Sequence, residues 1–116
     1  MAFTDLEIAE HLKLLEDAFW SRRRPRLPIR EQMREGQRFT DQSIELFFVR
    51  PAFERPGEHI EGSIAKVRFV RTQRVWRIFW MRADLKWHGY QPCPKTRTLA
   101  AALRVINEDP HGCFLG

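Results

Sequence analysis

The stretch that decides the fold is Ala65-Lys66-Val67-Arg68-Phe69-Val70-Arg71-Thr72-Gln73-Arg74-Val75-Trp76-Arg77-Ile78-Phe79-Trp80. Read as two strands around a turn at Arg71–Arg74, it sets Phe69 opposite Trp76, Val67 opposite Ile78 and Ala65 opposite Trp80. Side chains alternate between faces along a strand, so these six residues share one face, and all six are apolar. A slip by one residue would mix the two faces, so the pattern fixes its own register. This is the expected core face. The opposite face pairs Val70 with Val75, Arg68 with Arg77, Lys66 with Phe79 and Ile64 with Met81. Arg68 directly across from Arg77 is a like-charge pair, which destabilises a sheet and calls for a counter-charge.

Two sources of that counter-charge are open. One is an external anion such as phosphate, with Phe79 offering a stacking surface beside it. The other is Glu45 or another acid of the same chain, with the arginine stems lying over apolar surface. The second has the greater weight, because self-neutralised arginine faces are common in two-layer domains.

Outward from the hairpin, Thr4-Asp5-Leu6-Glu7 is a capping box, and Ile8, Leu12, Leu15 and Phe19 follow at helical spacing. Arg22 to Arg24 then sit where cations complement a helix C-terminus, Pro25 forbids continuation, and Arg26-Leu27-Pro28 is an extended linker. A short strand is expected near Gln37 to Thr40. Ile44 to Val49 reads as a further strand, and residues 51–62, with their prolines and glycines, as the longest loop. After the hairpin comes a strand around Leu85 to Gln91, and Pro92 and Pro94 are expected to break the sheet. Thr98 caps a last helix whose Leu99, Ala102, Leu103 and Ile106 form its inner face. The closing Asp109-Pro110-His111-Gly112-Cys113-Phe114 is a turn that can lay Phe114 on the core. These readings predict a single α+β domain over residues 1–116. It has an N-terminal helix, an antiparallel meander of three to four strands, and a C-terminal helix packed on one sheet face.

Length and composition agree. A chain of 116 residues is one domain and is too short for a catalytic barrel or a two-domain enzyme. Hydrophobic residues at 43% with charged ones at 30% describe a globular protein rather than a disordered one. No apolar run reaches the length of a membrane span, and two cysteines without an export signal point to the cytoplasm. The net charge is +5, and it is unevenly placed. Residues 1–20 are acidic, whereas Gly62 to Arg97 is strongly basic with Asp84 as its one acid. Such a segment attracts polyanions.

The candidate chemical motifs are weaker. Ser63-Ile64-Ala65-Lys66 matches an acylase pattern that belongs on a helix, and on a strand its Ser and Lys point to opposite faces. Cys93, Cys113, His88 and His111 match no common zinc spacing. Glu58-His59-Ile60-Glu61 falls in the Pro/Gly loop as surface charge. Trp87-His88-Gly89-Tyr90 could form a stacking patch, although tryptophans in a small chain also serve as core. Lys95 and Arg97 flank the start of the last helix, where free backbone N–H groups and the helix dipole favour an anion.

The run from Ala65 through Met81-Arg82-Ala83-Asp84-Leu85-Lys86-Trp87-His88-Gly89-Tyr90, with the ending Glu108-Asp109-Pro110-His111-Gly112-Cys113-Phe114, resembles the signature of domain of unknown function 3024. That family consists of small bacterial proteins, and the resemblance covers nearly the whole chain. It implies a bacterial origin and carries no activity, cofactor or site residue with it. The chain departs from the family pattern at Gly89, where a bulkier or charged residue is usual.

The expected function is a non-catalytic binding module for a polyanion, nucleic acid foremost. Arg68, Arg77, Lys95 and Arg97 are the anion-binding candidates, and Phe79 and Tyr90 the stacking ones. No catalytic residue, metal or cofactor is assigned. The alternative is a protein-interaction module for an acidic partner or for homodimerisation. A small metal protein or enzyme using His88, His111 and the cysteines comes last.

Overall fold

Thr4 and Glu7 start the first helix by capping each other. The Glu7 N–H donates to Thr4 Oγ1 at 3.2 Å, and the Thr4 N–H donates to Glu7 Oε1 at 2.9 Å. A computed structural model of the protein describes residues 2–21, 34–52, 54, 55 and 57–114. Its elements are α1 (Asp5–Leu15), β1 (Arg34–Thr40), β2 (Ser43–Pro51), β3 (His59–Val70), β4 (Val75–Met81), β5 (Trp87–Gly89), β6 (Lys95–Thr96) and α2 (Leu99–Glu108). The strands form one antiparallel sheet in the order β1-β2-β3-β4-β5, with β6 also paired to β4. This is the expected α+β architecture, with a larger sheet than the three to four strands expected. No helix among the described residues is long and apolar enough to cross a membrane.

α1 runs on into a π-helical turn, Glu16–Trp20. The wider turn shifts the helical phase, so Phe19 and Trp20, although adjacent, are both buried. The Trp20 indole N–H donates to Gln37 Oε1 at 3.0 Å, which ties the helix end to β1. Leu12, expected on the inner face, is 39% exposed. The half-buried His11 lies inward of it, with its ring edge-on to Phe3 and Trp76. Burial holds the His11 pKa below its usual value. The readings of Arg22–Arg24, Pro25 and Arg26-Leu27-Pro28 fall outside the described residues.

The β3–β4 hairpin has the expected register at its turn end, with Phe69 opposite Trp76, Val67 opposite Ile78 and Arg68 opposite Arg77. Further from the turn it departs. β2 and β3 shift register between Leu46 and Phe47: Leu46 faces Ala65, Phe47 faces Ser63, and Ile64 is the extra residue of a bulge. Ile64 and Ala65 are consequently both buried, and Ile64 leaves the outer face assigned to it. The β3–β4 ladder ends at Lys66 opposite Phe79, so the expected pairs Ala65–Trp80 and Ile64–Met81 lie beyond it, and on the other edge of β4 Trp80 pairs with His88 and Met81 with Trp87. The bulge also corrects the reading of Ser63 and Lys66. Their partners Phe47 and Glu45 are two residues apart on β2, so both point outward.

Two segments read as loops are strand. β3 begins at His59, so His59, Ile60 and Glu61 pair with β2. β6 follows Pro94 directly, because Pro94 needs only its carbonyl, which accepts from the Ile78 N–H at 3.0 Å. α1 and α2 both pack on the face carrying Ile44, Leu46, Ala65, Val67, Trp76 and Ile78. Leu99, Ala102, Leu103 and Ile106 fill the α2 side, and Phe114 closes over Tyr90 at 4.7 Å between ring centroids. Thr98 caps α2 through the Ala101 N–H at 3.0 Å.

A second tie joins α1 to the hairpin turn. Arg71 donates from both terminal nitrogens to Glu7, at 2.8 and 3.2 Å. The Arg71 hydrogen bonds, with the Thr4 N–H, push the Glu7 pKa down to about 2 from the ordinary 4.5. A depressed carboxylate stabilises the fold fully above its unfolded pKa and loses that contribution as pH falls through the folded value. Glu7→Gln is therefore expected to melt at lower temperature than the parent at pH 7. The difference should shrink as pH drops from 4.5 towards 2. Thermal melts across that range check it, and a constant difference down to pH 2 would show that the carboxylate charge is not what holds the turn.

Candidate functional site

The sheet has a second face, turned away from both helices. On it the register lines up Ser43, Arg68, Arg77 and Lys95, one residue on each of β2, β3, β4 and β6. Neighbouring strands are about 4.8 Å apart, so three cations stand within a line about 10 Å long. Arg68, Arg77 and Lys95 are all exposed. The sequence placed Lys95 at a helix terminus, separate from the arginine pair. The structure puts it beside Arg77, because Lys95-Thr96 is a strand before the cap at Thr98 begins α2.

The internal counter-charge favoured on sequence grounds is already engaged elsewhere. Glu45 Oε2 accepts from Arg38 at 3.1 Å, and the other terminal nitrogen of Arg38 donates to Glu61 Oε1 at 2.7 Å. Arg38 also lies over the Phe47 ring, 4.9 Å from its centroid. That ring occupies the space left by Gly36 across from it, where a Cβ would stand 2.4 Å from Phe47 Cε2. Arg38 is thus held on one side by two carboxylates and on the other by an aromatic face. Among the described residues, Arg68, Arg77, Lys95 and Arg97 form no ion pair.

Two shallow hollows flank the row. One, of about 420 Å³, is lined by Arg68, Arg71, Arg77 and Phe79 with Thr72 and Gln42. The other, of about 580 Å³, is lined by Arg74, Lys95, Thr96 and Arg97 with Gln73 and Val75. Neither lining contains an acid. The structure therefore brings Arg68, Arg77 and Lys95 into one row, with the half-buried Phe79 lining the hollow of Arg68 and Arg77 and Arg97 lining the hollow beside Lys95. It adds Arg74, which sits in the turn at a φ of 53°. The sequence read Arg74 only as a turn residue, because nothing local shows that β6 returns beside it.

Tyr90 is corrected. It is 1% exposed, packed on Phe114, and offers no ring face to a ligand. The strand alternation that turns Tyr90 inward turns Trp87 outward. The remaining candidates are dispersed. His88 Nε2 bonds Asp84 Oδ2 at 2.8 Å, an interaction that lowers the Asp84 pKa. The Cys93 thiol faces the Lys95 carbonyl, and the Cys113 thiol faces that of His111. No group of three or more histidine, cysteine or acidic side chains able to hold a metal occurs among the described residues.

Fold and face together define an α+β domain whose six-stranded sheet is covered by helices on one side and carries a cationic row on the other. Residues 3–116 match the family described as Domain of unknown function (DUF3024), and the chain belongs to that family. No curated protein and no solved structure matches the chain.

Proposed function

We propose that the outward sheet face is a non-catalytic binding surface for a polyanion, with nucleic acid as its ligand. The observation that carries this reading is the row Arg68–Arg77–Lys95, like charges on adjacent strands while the nearby Glu45 is bonded to Arg38. An arrangement that opposes folding locally finds its counter-charge in a ligand. Arg97 and Arg74 extend the positive surface beyond the row, and Phe79 adds an aromatic face.

The test is a salt titration of a labelled oligonucleotide. Three phosphates neutralised on a single strand give a slope of about −2 in log K against log salt, at about 0.7 per contact. Lys95→Ala and Arg68→Ala are each expected to weaken binding and to lower the slope by about 0.7. Absence of binding at low salt, or binding indifferent to salt, overturns the reading.

A second reading rests on the charge segregation of the fold. α1 and its π-turn expose Asp5, Glu10, Glu16 and Asp17. Another copy could therefore offer an acidic helix to the cationic face, head to tail. Association between copies that strengthens as salt is lowered, without any oligonucleotide binding, is the outcome that favours it.

A further inference from the structure

Along β4 the outward residues are Val75, Arg77, Phe79 and Met81, so the cationic row is followed, about 7 Å further along the strand, by an aromatic position. Phe79 lies between Lys66 on β3 and Gly89 on β5. Gly89 is exposed, and a Cβ placed on it would meet no atom within 4 Å. On the same strand, two residues away, Trp87 faces Met81 on the outward side. Phe79 and Trp87 are half-buried, yet neither packs against the hydrophobic core.

Phe79 and Trp87 are diagonal neighbours across the β4–β5 pair, a relationship that sets residues about 7–8 Å apart. At that spacing two aromatic side chains can both reach a flat group lying on the sheet between them. The side-chain-free position of Gly89 opens the sheet surface between them. The geometry points to a base slot: a flat nucleobase enters over Gly89 against Phe79 and Trp87, while phosphates of the same strand lie along Arg77, Arg68 and Lys95. Paired bases inside a duplex are stacked on each other and cannot enter, so the ligand class is single-stranded nucleic acid.

This inference rests on the polyanion reading and makes that reading specific, and Gly89 separates the two experimentally. Gly89→Val fills the slot without changing charge, and the open space around Gly89 accommodates it. The probes are a single-stranded thymidine oligomer of about 12 nucleotides, its duplex with adenine, and inorganic polyphosphate, which has charge but no bases. Gly89→Val and Phe79→Ala are each expected to weaken the single strand by about tenfold, within the range of one lost base–aromatic stack. For Gly89→Val, which lies outside the cationic row, the salt slope and polyphosphate binding should stay unchanged. The duplex is expected to bind more weakly than the single strand. Thermal melts show that the variants fold, and Phe79→Leu, which keeps the volume but not the aromatic face, should match Phe79→Ala in binding. If the folded variants bind the oligomer as tightly as the parent, the slot is overturned and the polyanion reading stands. If the parent binds neither oligomer nor polyphosphate, both fall.

Discussion

Arg77→Glu is expected to abolish most nucleic-acid binding and, in the same protein, to raise stability. Arg77 stands in the middle of the row, with Arg68 across from it on one side and Lys95 on the other. A charge-assisted bond to phosphate contributes about 1.5–3 kcal/mol, so its loss alone lowers affinity roughly 10- to 150-fold. The new carboxylate also repels the ligand. Within the fold the sign reverses, because two like-charge cross-strand neighbours become opposite-charge ones, each favourable by about 0.2–1 kcal/mol. The exposure of the row keeps that gain at the low end, since solvent screens it. A rise in melting temperature of a few degrees is the expected scale. Binding by fluorescence anisotropy and stability by thermal melting check the two halves on one sample. A variant that binds less but is also less stable would mean that Arg77 is neutralised within the molecule and that the row is not left open for a ligand.

The core hairpin could be read from sequence because its information is local. Six apolar residues alternate with polar ones on either side of one turn, and a single register satisfies them. Capping at Thr4 and Thr98 and the α2 face were legible for the same reason, since a cap and a helical period lie within a few residues of each other. What failed depends on insertions or on partners remote in the chain. The bulge at Ile64 adds one residue to β3, and no local pattern marks it because Ser63, Ile64 and Ala65 are all acceptable in a strand. The π-turn at Glu16–Trp20 hides in the same way behind an ordinary helical period. Pro92 and Pro94 read as breaks in the sheet and so hide β6, yet a proline carbonyl bonds as well as any other. The site followed suit. Arg68, Arg77 and Phe79 were placed correctly by alternation alone, whereas their alignment with Lys95 needed β6. Tyr90 has the residue type of a stacking side chain, but strand parity turns it inward and Trp87 outward. The competition for Glu45 was invisible because the winner, Arg38, comes from β1, on the other side of β2 from Lys66.

That competition makes Trp20 matter beyond its own packing. Trp20 is 2% exposed, edge-on to Phe19 at 4.8 Å and to Phe48 at 5.8 Å, and its indole N–H is bonded to Gln37 on β1. Trp20→Ala removes the largest fully buried side chain and is expected to cost about 3–5 kcal/mol. It also leaves Gln37 Oε1 without its donor. Trp20→Phe keeps much of the ring contact and loses the hydrogen bond, for a smaller cost of about 1–2 kcal/mol. Urea unfolding measures both, and a fall in midpoint at constant slope identifies lost stability rather than a changed unfolded state. A loss below about 1.5 kcal/mol for Trp20→Ala would mean that the site collapses around the deletion and that the π-turn is not anchored by this ring. The consequence for the outer face follows from β1. Trp20 adds a tie to that strand through Gln37, beside its ladder to β2, and one residue along the strand Arg38 binds Glu45 and Glu61. Loosening β1 releases Glu45, which faces Lys66 across the sheet and lies diagonal to Arg68. Trp20→Phe is therefore expected to weaken oligonucleotide binding slightly although Trp20 lies on the opposite side of the sheet, and Arg38→Gln should reproduce that loss with the core intact.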